Sequence, residues 1–262
     1  MPRFLLRLEV RTLALLAAVG GVVWGFLALS DEVSENSTSH LDRMIMLAMR
    51  EPGHPSDPLG PPTFEEAMRD VTALGGFTVL TLVTAVAAAT LIYFRRWRQA
   101  AVFVATVLVA EATGEVLKGV FHRARPDIVP HGSYVYSQSF PSGHSLLSAA
   151  TFLTLAGILA GMQERRRFKI FFVTLAIALT VAVGVSRVYL GVHWPTDVLG
   201  GWTLGAAFAL AARLVMGAWK SPTSPPGSGG WRPPADIQEA VNPSAIPSSQ
   251  AVPLAQQPPA SF

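Results

Sequence analysis

Six side chains suited to handling a phosphate ester fall in three short segments of an otherwise apolar chain. Lys118 and Arg125 lie in KGVFHRARP (118–126), His144 closes PSGH (141–144), and Arg187, His193 and Asp197 lie in SRVYLGVHWPTD (186–197). A phosphate ester resists attack because its oxygens are negative, so a catalyst must neutralise them and support the charge of the transition state. Lys118, Arg125 and Arg187 supply three positive charges, and an arginine fork can hold two phosphate oxygens at once. Ser142 and Gly143 precede an apolar run, which puts their backbone N–H groups and the Ser142 hydroxyl at a helix N-terminus, where anions bind. His193 and Asp197 are four residues apart and share a helical face. A carboxylate on one imidazole nitrogen fixes the tautomer and leaves the other lone pair free to attack. Alone, the pair equally describes an interfacial histidine beside a helix-capping aspartate; Ser186-Arg187 upstream weighs against that. His144 suits the separate task of protonating a leaving oxygen.

Together the segments spell Lys-x6-Arg-Pro, Pro-Ser-Gly-His and Ser-Arg-x5-His-x3-Asp, in order and without a substitution. This resembles the signature of the type 2 phosphatidic acid phosphatase (PAP2) family, whose soluble relatives include vanadium haloperoxidases and some bacterial acid phosphatases. The likeness spans residues 64–215. It implies that His193 attacks phosphorus to form a phosphohistidine, that His144 protonates the departing alcohol and then activates water, and that Asp197 orients His193. It implies phosphate contacts for Lys118, Arg125, Ser142, Gly143 and Arg187. No cofactor is expected: the three cations take the part magnesium plays elsewhere, and the motifs lack the carboxylate pairs of a two-metal site.

The elements that must position these residues are membrane helices. Charged residues are 14% of the chain, against about 25% in an ordinary soluble domain, and the mean hydropathy is +0.40. Basic residues come in short clusters between apolar runs rather than along one polar face, which argues against a nucleic-acid partner. Cysteine is absent, excluding disulfides and thiolate metal sites. Six runs are long enough to cross a bilayer: 12–29, 71–94, 100–121, 146–162, 168–185 and 198–219. Small-residue stretches such as TAVAAAT and GAAFALAA suit close helix packing. The expectation is an all-α polytopic protein, a six-transmembrane-helix bundle with a PAP2-type core. For the first run a cleaved signal peptide ending near Ala28-Leu29-Ser30 is the alternative, disfavoured by the length of the run and by the six spans the resemblance implies.

Arginine clusters before the first run, at 95–98 and at 165–169 place one face of the membrane in the cytoplasm. Both termini then face inward, and all three motifs lie at the outer face. The division expected is a first transmembrane helix (1–30), an outward connection with short helices (31–70), a phosphatase core of five spans (71–219) and a disordered Pro-rich tail (220–262). Within the connection, 41–50 is either a helix lying on the membrane surface or part of a solvated hairpin. A helix starting near 64–70 is expected to run into the second span, with Gly75 and Gly76 allowing a bend. Arg123 reads as a membrane-edge anchor or topology charge. Glu111 and Glu115 are costly in a span and are assigned to positioning Lys118 or another cation. His122, Asp127 and His131 border the site.

The function expected is hydrolysis of a lipid phosphate or diphosphate at the outer face. Undecaprenyl diphosphate heads the candidates, followed by phosphatidate and phosphatidylglycerol phosphate. The partners expected are a membrane lipid substrate and the bilayer. A lipid phosphotransferase of the same fold is the alternative within the family, and an anion transporter the alternative outside enzymes.

Overall fold

The long apolar runs of this chain are built from Leu, Val, Ala and Phe without polar alternation, a pattern that helices can carry through lipid because they satisfy their own backbone. The computed structural model describes residues 3–131 and 137–218. In order, these form α1 (Arg3–Ser34), α2 (Ser39–Leu47), β1 (Arg50–Glu51), β2 (His54–Pro58), α3 (Pro62–Ala73), α4 (Phe77–Tyr93), α5 (Trp97–Phe121), α6 (Gly143–Met162), α7 (Arg166–Tyr189) and α8 (Pro195–Ala218). The expected tail, 220–262, lies outside the described residues.

Among the described residues, five helices are long and apolar enough to cross a membrane alone: α1, α5, α6, α7 and α8. The sixth candidate is broken. At 17 residues α4 reaches about 25 Å, and it passes as a span only together with α3 across a 47° bend. The break falls at the glycine pair, as the sequence suggests. A Cβ on Gly75 would stand 2.4 Å from Val183 Cγ1 and 3.3 Å from the His144 carbonyl oxygen, so only glycine lets the break between α3 and α4 lie against α6 and α7 there.

Helix α6 is the axis of the bundle, and α5, α7 and α8 pack on it. In lipid, close van der Waals fit must replace the hydrophobic drive available in water, and the glycines of α8 provide it. A Cβ on Gly201 would lie 2.7 Å from the Ser142 carbonyl oxygen, and one on Gly205 2.5 Å from Ala149 Cβ. On α7, Gly184 accommodates the Trp202 ring, which would lie 2.3 Å from an added Cβ. Large apolar side chains point outward instead, among them Trp24, Leu27, Leu108, Val116, Ile170 and Phe171. This is the reverse of a water-soluble surface and suits acyl chains. The protein is a multi-pass membrane protein.

The connection 31–70 is more ordered than a surface hairpin. Most of 41–50 is helical (α2) rather than part of a solvated hairpin, and an antiparallel ribbon follows it, pairing Arg50 with Pro58 and Glu51 with His54. On α2, Asp42 and Met46, one turn apart, are fully buried, while Leu41, Met44 and Leu47 stay exposed. Met46 joins Val129, Val188 and Val198 in one apolar cluster. The segment therefore packs on the loops that carry the motifs.

Candidate active site

The first motif rides the end of α5 and the loop beyond it. Lys118 occupies the last turn of α5 and pairs with Glu115 at 2.7 Å. Its Nζ comes so near the start of α6 that a Cβ on Gly143 would stand 3.2 Å away. A larger residue at 143 would crowd the ammonium group, so glycine here is a matter of space. Ser142 is the N-cap of α6, in extended conformation; its N–H donates to the Asp197 carbonyl oxygen at 3.0 Å. That bond ties the start of α6 to the start of α8. The Ser142 side chain is buried and its Oγ accepts from Ser145 at 3.1 Å.

The third motif spans the turn between α7 and α8. Gly191 has φ +72°, and an added Cβ would press on Val129 Cγ2 at 2.6 Å; the left-handed turn and the contact both favour glycine. The turn delivers His193, 2% exposed, above the first turn of α8. There Asp197 Oδ2 receives the Trp194 N–H at 2.9 Å, the Ser139 hydroxyl and His193 Nδ1 at 3.4 Å. The other imidazole nitrogen, Nε2, lies 3.1 Å from Arg125 Nη1. With Asp197 on one side and a guanidinium on the other, the consistent tautomer carries its proton on Nδ1 and a lone pair on Nε2. Burial pushes the His193 pKa down to about 4; the hydrogen bond and charge of Asp197 oppose that, and Arg187 and Arg125 reinforce it. The imidazole is thus neutral at pH 7.

Arg125 is oriented by backbone: Nη1 donates to the Val192 carbonyl at 2.6 Å and Nε to that of Ser137 at 2.7 Å. Arg187, 3% exposed, donates from Nη1 to Thr72 Oγ1 at 3.1 Å, while its buried Nε has no hydrogen-bond partner among the described residues. A buried guanidinium N–H left open is costly unless a ligand oxygen fills it. His144, at the first turn of α6, is in electrostatic reach of Arg187, His193, Lys118 and Arg125. The six chemical residues of the motifs therefore converge. Around them runs a buried network: Arg123 donates to Asp197 Oδ1 at 2.6 Å, to Thr196 Oγ1 at 2.8 Å and to Asp42 Oδ2 at 2.7 Å.

Residues 99–221 match the PAP2 superfamily. Phosphatidylglycerophosphatase B of Bacillus subtilis is 32% identical over 183 residues, 69% of this chain and 85% of that protein. The chain belongs to the PAP2 superfamily. The crystal structure of a transmembrane PAP2 type phosphatidylglycerolphosphate phosphatase from Bacillus subtilis superposes with a TM-score of 0.69 at 28% identity, covering 78% of this chain and 98% of that one. Undecaprenyl-diphosphatase of Sulfolobus acidocaldarius is 35% identical over 45% of this chain and 56% of its own length. Lipid A 1-phosphatase of Rhizobium johnstonii is 33% identical over 42% and 45%. The PAP2 chain described here is a phosphatase.

Several residues of this PAP2 site escape the sequence reading. Arg123 is no edge anchor: its side chain is 12% exposed and holds two carboxylates, both 0% exposed. Its short distance from the Arg-Pro motif is the one signal for it. Asp42, Ser139 and Thr72 lie outside the motifs and Thr196 at a variable position within the third, and their roles come from chain segments that meet only in the fold. Lys118 is paired by Glu115, in line with the positioning role assigned to that carboxylate. His122 is exposed and ends α5 with φ 45°, Asp127 is exposed, and His131 Nε2 bonds the Pro126 carbonyl at 2.7 Å. His131 braces the loop.

Proposed function

We propose that this PAP2 protein hydrolyses a lipid phosphate monoester at the outer face of the membrane through a phosphohistidine on His193. The observation that carries the reading is the two-sided environment of the imidazole. Asp197 faces Nδ1 and Arg125 faces Nε2, so the free lone pair points toward a cation that a phosphate oxygen would also seek. Lys118, Arg125, Arg187, the Ser142 hydroxyl and the Gly143 N–H offset the charge of the phosphoryl group, the Ser142 N–H being held by the Asp197 carbonyl oxygen. Nε2 attacks phosphorus as the ester oxygen leaves with a proton from His144. A water molecule, deprotonated by His144, then cleaves the P–N bond and releases inorganic phosphate.

The lipid class is supported by the broad apolar exterior and by relatives named for lipid substrates. Phosphatidylglycerol phosphate moves ahead of undecaprenyl diphosphate, because the relative matched along 85% of its length bears that name. Phosphate release by purified protein from phosphatidylglycerol phosphate, phosphatidate and undecaprenyl diphosphate tests this order. Turnover of undecaprenyl diphosphate alone would overturn it.

The two histidines separate by leaving group. His193→Ala is expected to form no phosphoenzyme from any substrate. His144→Ala is expected to slow phosphoenzyme formation from a lipid alkyl phosphate by about 10²–10⁴-fold, and far less from an aryl phosphate whose phenol leaves unaided. Equal losses for both esters in a rapid-quench measurement would remove the acid role from His144.

A further inference from the structure

The reaction scheme leaves Arg123 unused, yet its guanidinium lies between two wholly buried carboxylates. The two oxygens of Asp197 have separate partners. Oδ2 receives His193, Ser139 and the Trp194 N–H, and Oδ1 receives Arg123. Asp42, from α2 in the connection 31–70, takes the other arm of the guanidinium. It is itself fixed by the Thr196 N–H at 2.9 Å and hydroxyl at 2.6 Å, with the Thr38 hydroxyl at 3.3 Å. The Arg123 guanidinium also stands over the Trp194 ring, 5.8 Å from its centre.

We propose that Asp42 and Arg123 act as positioning residues for Asp197, so that the connection preceding α3 is part of the catalytic apparatus. The inference rests on the reading of His193 as nucleophile. A buried carboxylate that loses its counter-charge is strongly destabilised as an anion and takes a proton or a new partner. Either change would cost His193 its acceptor. The His193–Asp197 contact is already long at 3.4 Å, so a small rotation of Asp197 would break it. Arg123 clamps Oδ1 and thereby sets the direction of Oδ2. Asp42 in turn keeps the guanidinium from swinging out of the site. A lysine offers a point charge instead of a planar fork and cannot hold both carboxylates in this arrangement.

Rapid-quench measurement of phosphoenzyme formation tests the proposal, using full-length protein in detergent with an aryl phosphate. The burst amplitude counts competent sites, and the rate constant reports the chemical step. Arg123→Gln is expected to lower the rate constant about 10²-fold, the scale of a small misplacement of a catalytic group, with KM within about threefold. Asp42→Asn, which preserves shape, is expected to lose about tenfold, and Arg123→Lys to recover part of the Arg123→Gln loss. The double variant Asp42→Asn with Arg123→Gln is expected to be no slower than Arg123→Gln alone, because parts of one unit do not add. An unchanged rate constant with reduced amplitude would reduce the pair to a structural role and overturn the proposal. Additive losses, or a rise in KM at constant rate, would overturn it as well. Absence of phosphoenzyme in the unaltered protein would instead remove the nucleophile reading, and this inference with it.

Discussion

At the scale of single residues, the state of His193 is set by its surroundings rather than by the motif. An exposed imidazole titrates near 6.5, whereas burial at the head of α8 holds this one near 4. The fold thus favours the neutral ring. Between these two values the unfolded chain binds a proton that the folded protein refuses, so stability falls as pH drops from about 6.5 to about 4 and this contribution levels off below that. Thermal unfolding in detergent, compared for the unaltered protein and His193→Gln, is expected to show the difference between the two narrowing as pH falls through this window. Parallel profiles would mean that the imidazole titrates normally. The same neutrality leaves the ring a lone pair at physiological pH, which is what the proposed attack by His193 requires, and no dedicated base is needed for it.

At the scale of elements, the site is the product of how closely α8 approaches α6. The bond from the Ser142 N–H to the Asp197 carbonyl joins the two helix starts, and Gly201, one turn further along α8, permits it. A methyl group at 201 would sit 2.7 Å from the Ser142 carbonyl oxygen and 2.9 Å from the Leu146 nitrogen. These are backbone atoms of a central helix and cannot step aside. Gly201→Ala is expected to destabilise by about 1–3 kcal/mol and to reduce phosphatase activity by more than its loss of folded protein. Gly157 on α6 has nothing within 4 Å of an added Cβ. Gly157→Ala is therefore expected to keep full activity, with a gain of about 0.5–1 kcal/mol from helix propensity. Melting temperature and specific activity of the two variants check the contrast; equal effects would show that packing at 201 is looser than these distances imply.

At the scale of the whole molecule, the arginine clusters and the placement of the site make one statement about orientation. The ribbon β1–β2 and the motif loops lie at one end of the bundle, and the connection between α6 and α7, with Arg165, Arg166 and Arg167, at the other. Since the chain has no cysteine, single thiols can be introduced without background. Ser56→Cys, exposed on β2, is expected to react with an impermeant maleimide added to intact cells. Gln163→Cys is expected to react only after permeabilisation. The opposite pattern would turn the site to the cytoplasm and exclude an outer-leaflet substrate.

Much of this protein is legible in its sequence because the strongest constraints on it are local. Uninterrupted apolar runs demand helices in lipid whatever the fold, and the motifs holding Lys118, Arg125, His144, Arg187, His193 and Asp197 resemble the PAP2 signature before their positions in space are known. Gly75 and Gly76 likewise announce a break in the chain, though the 47° bend and the contact with Val183 depend on the neighbouring helices. Tertiary structure decided the rest. Arg123 reads as one more surface charge until the fold places it between Asp42 and Asp197, 81 and 74 residues away. Asp42 carries no pattern at all, since a lone aspartate in an acidic connection is ordinarily solvated. Burial turns both into binding partners, because a charge removed from water must find its counter-charge within the protein, and which segments share that burial is settled only when the helices pack.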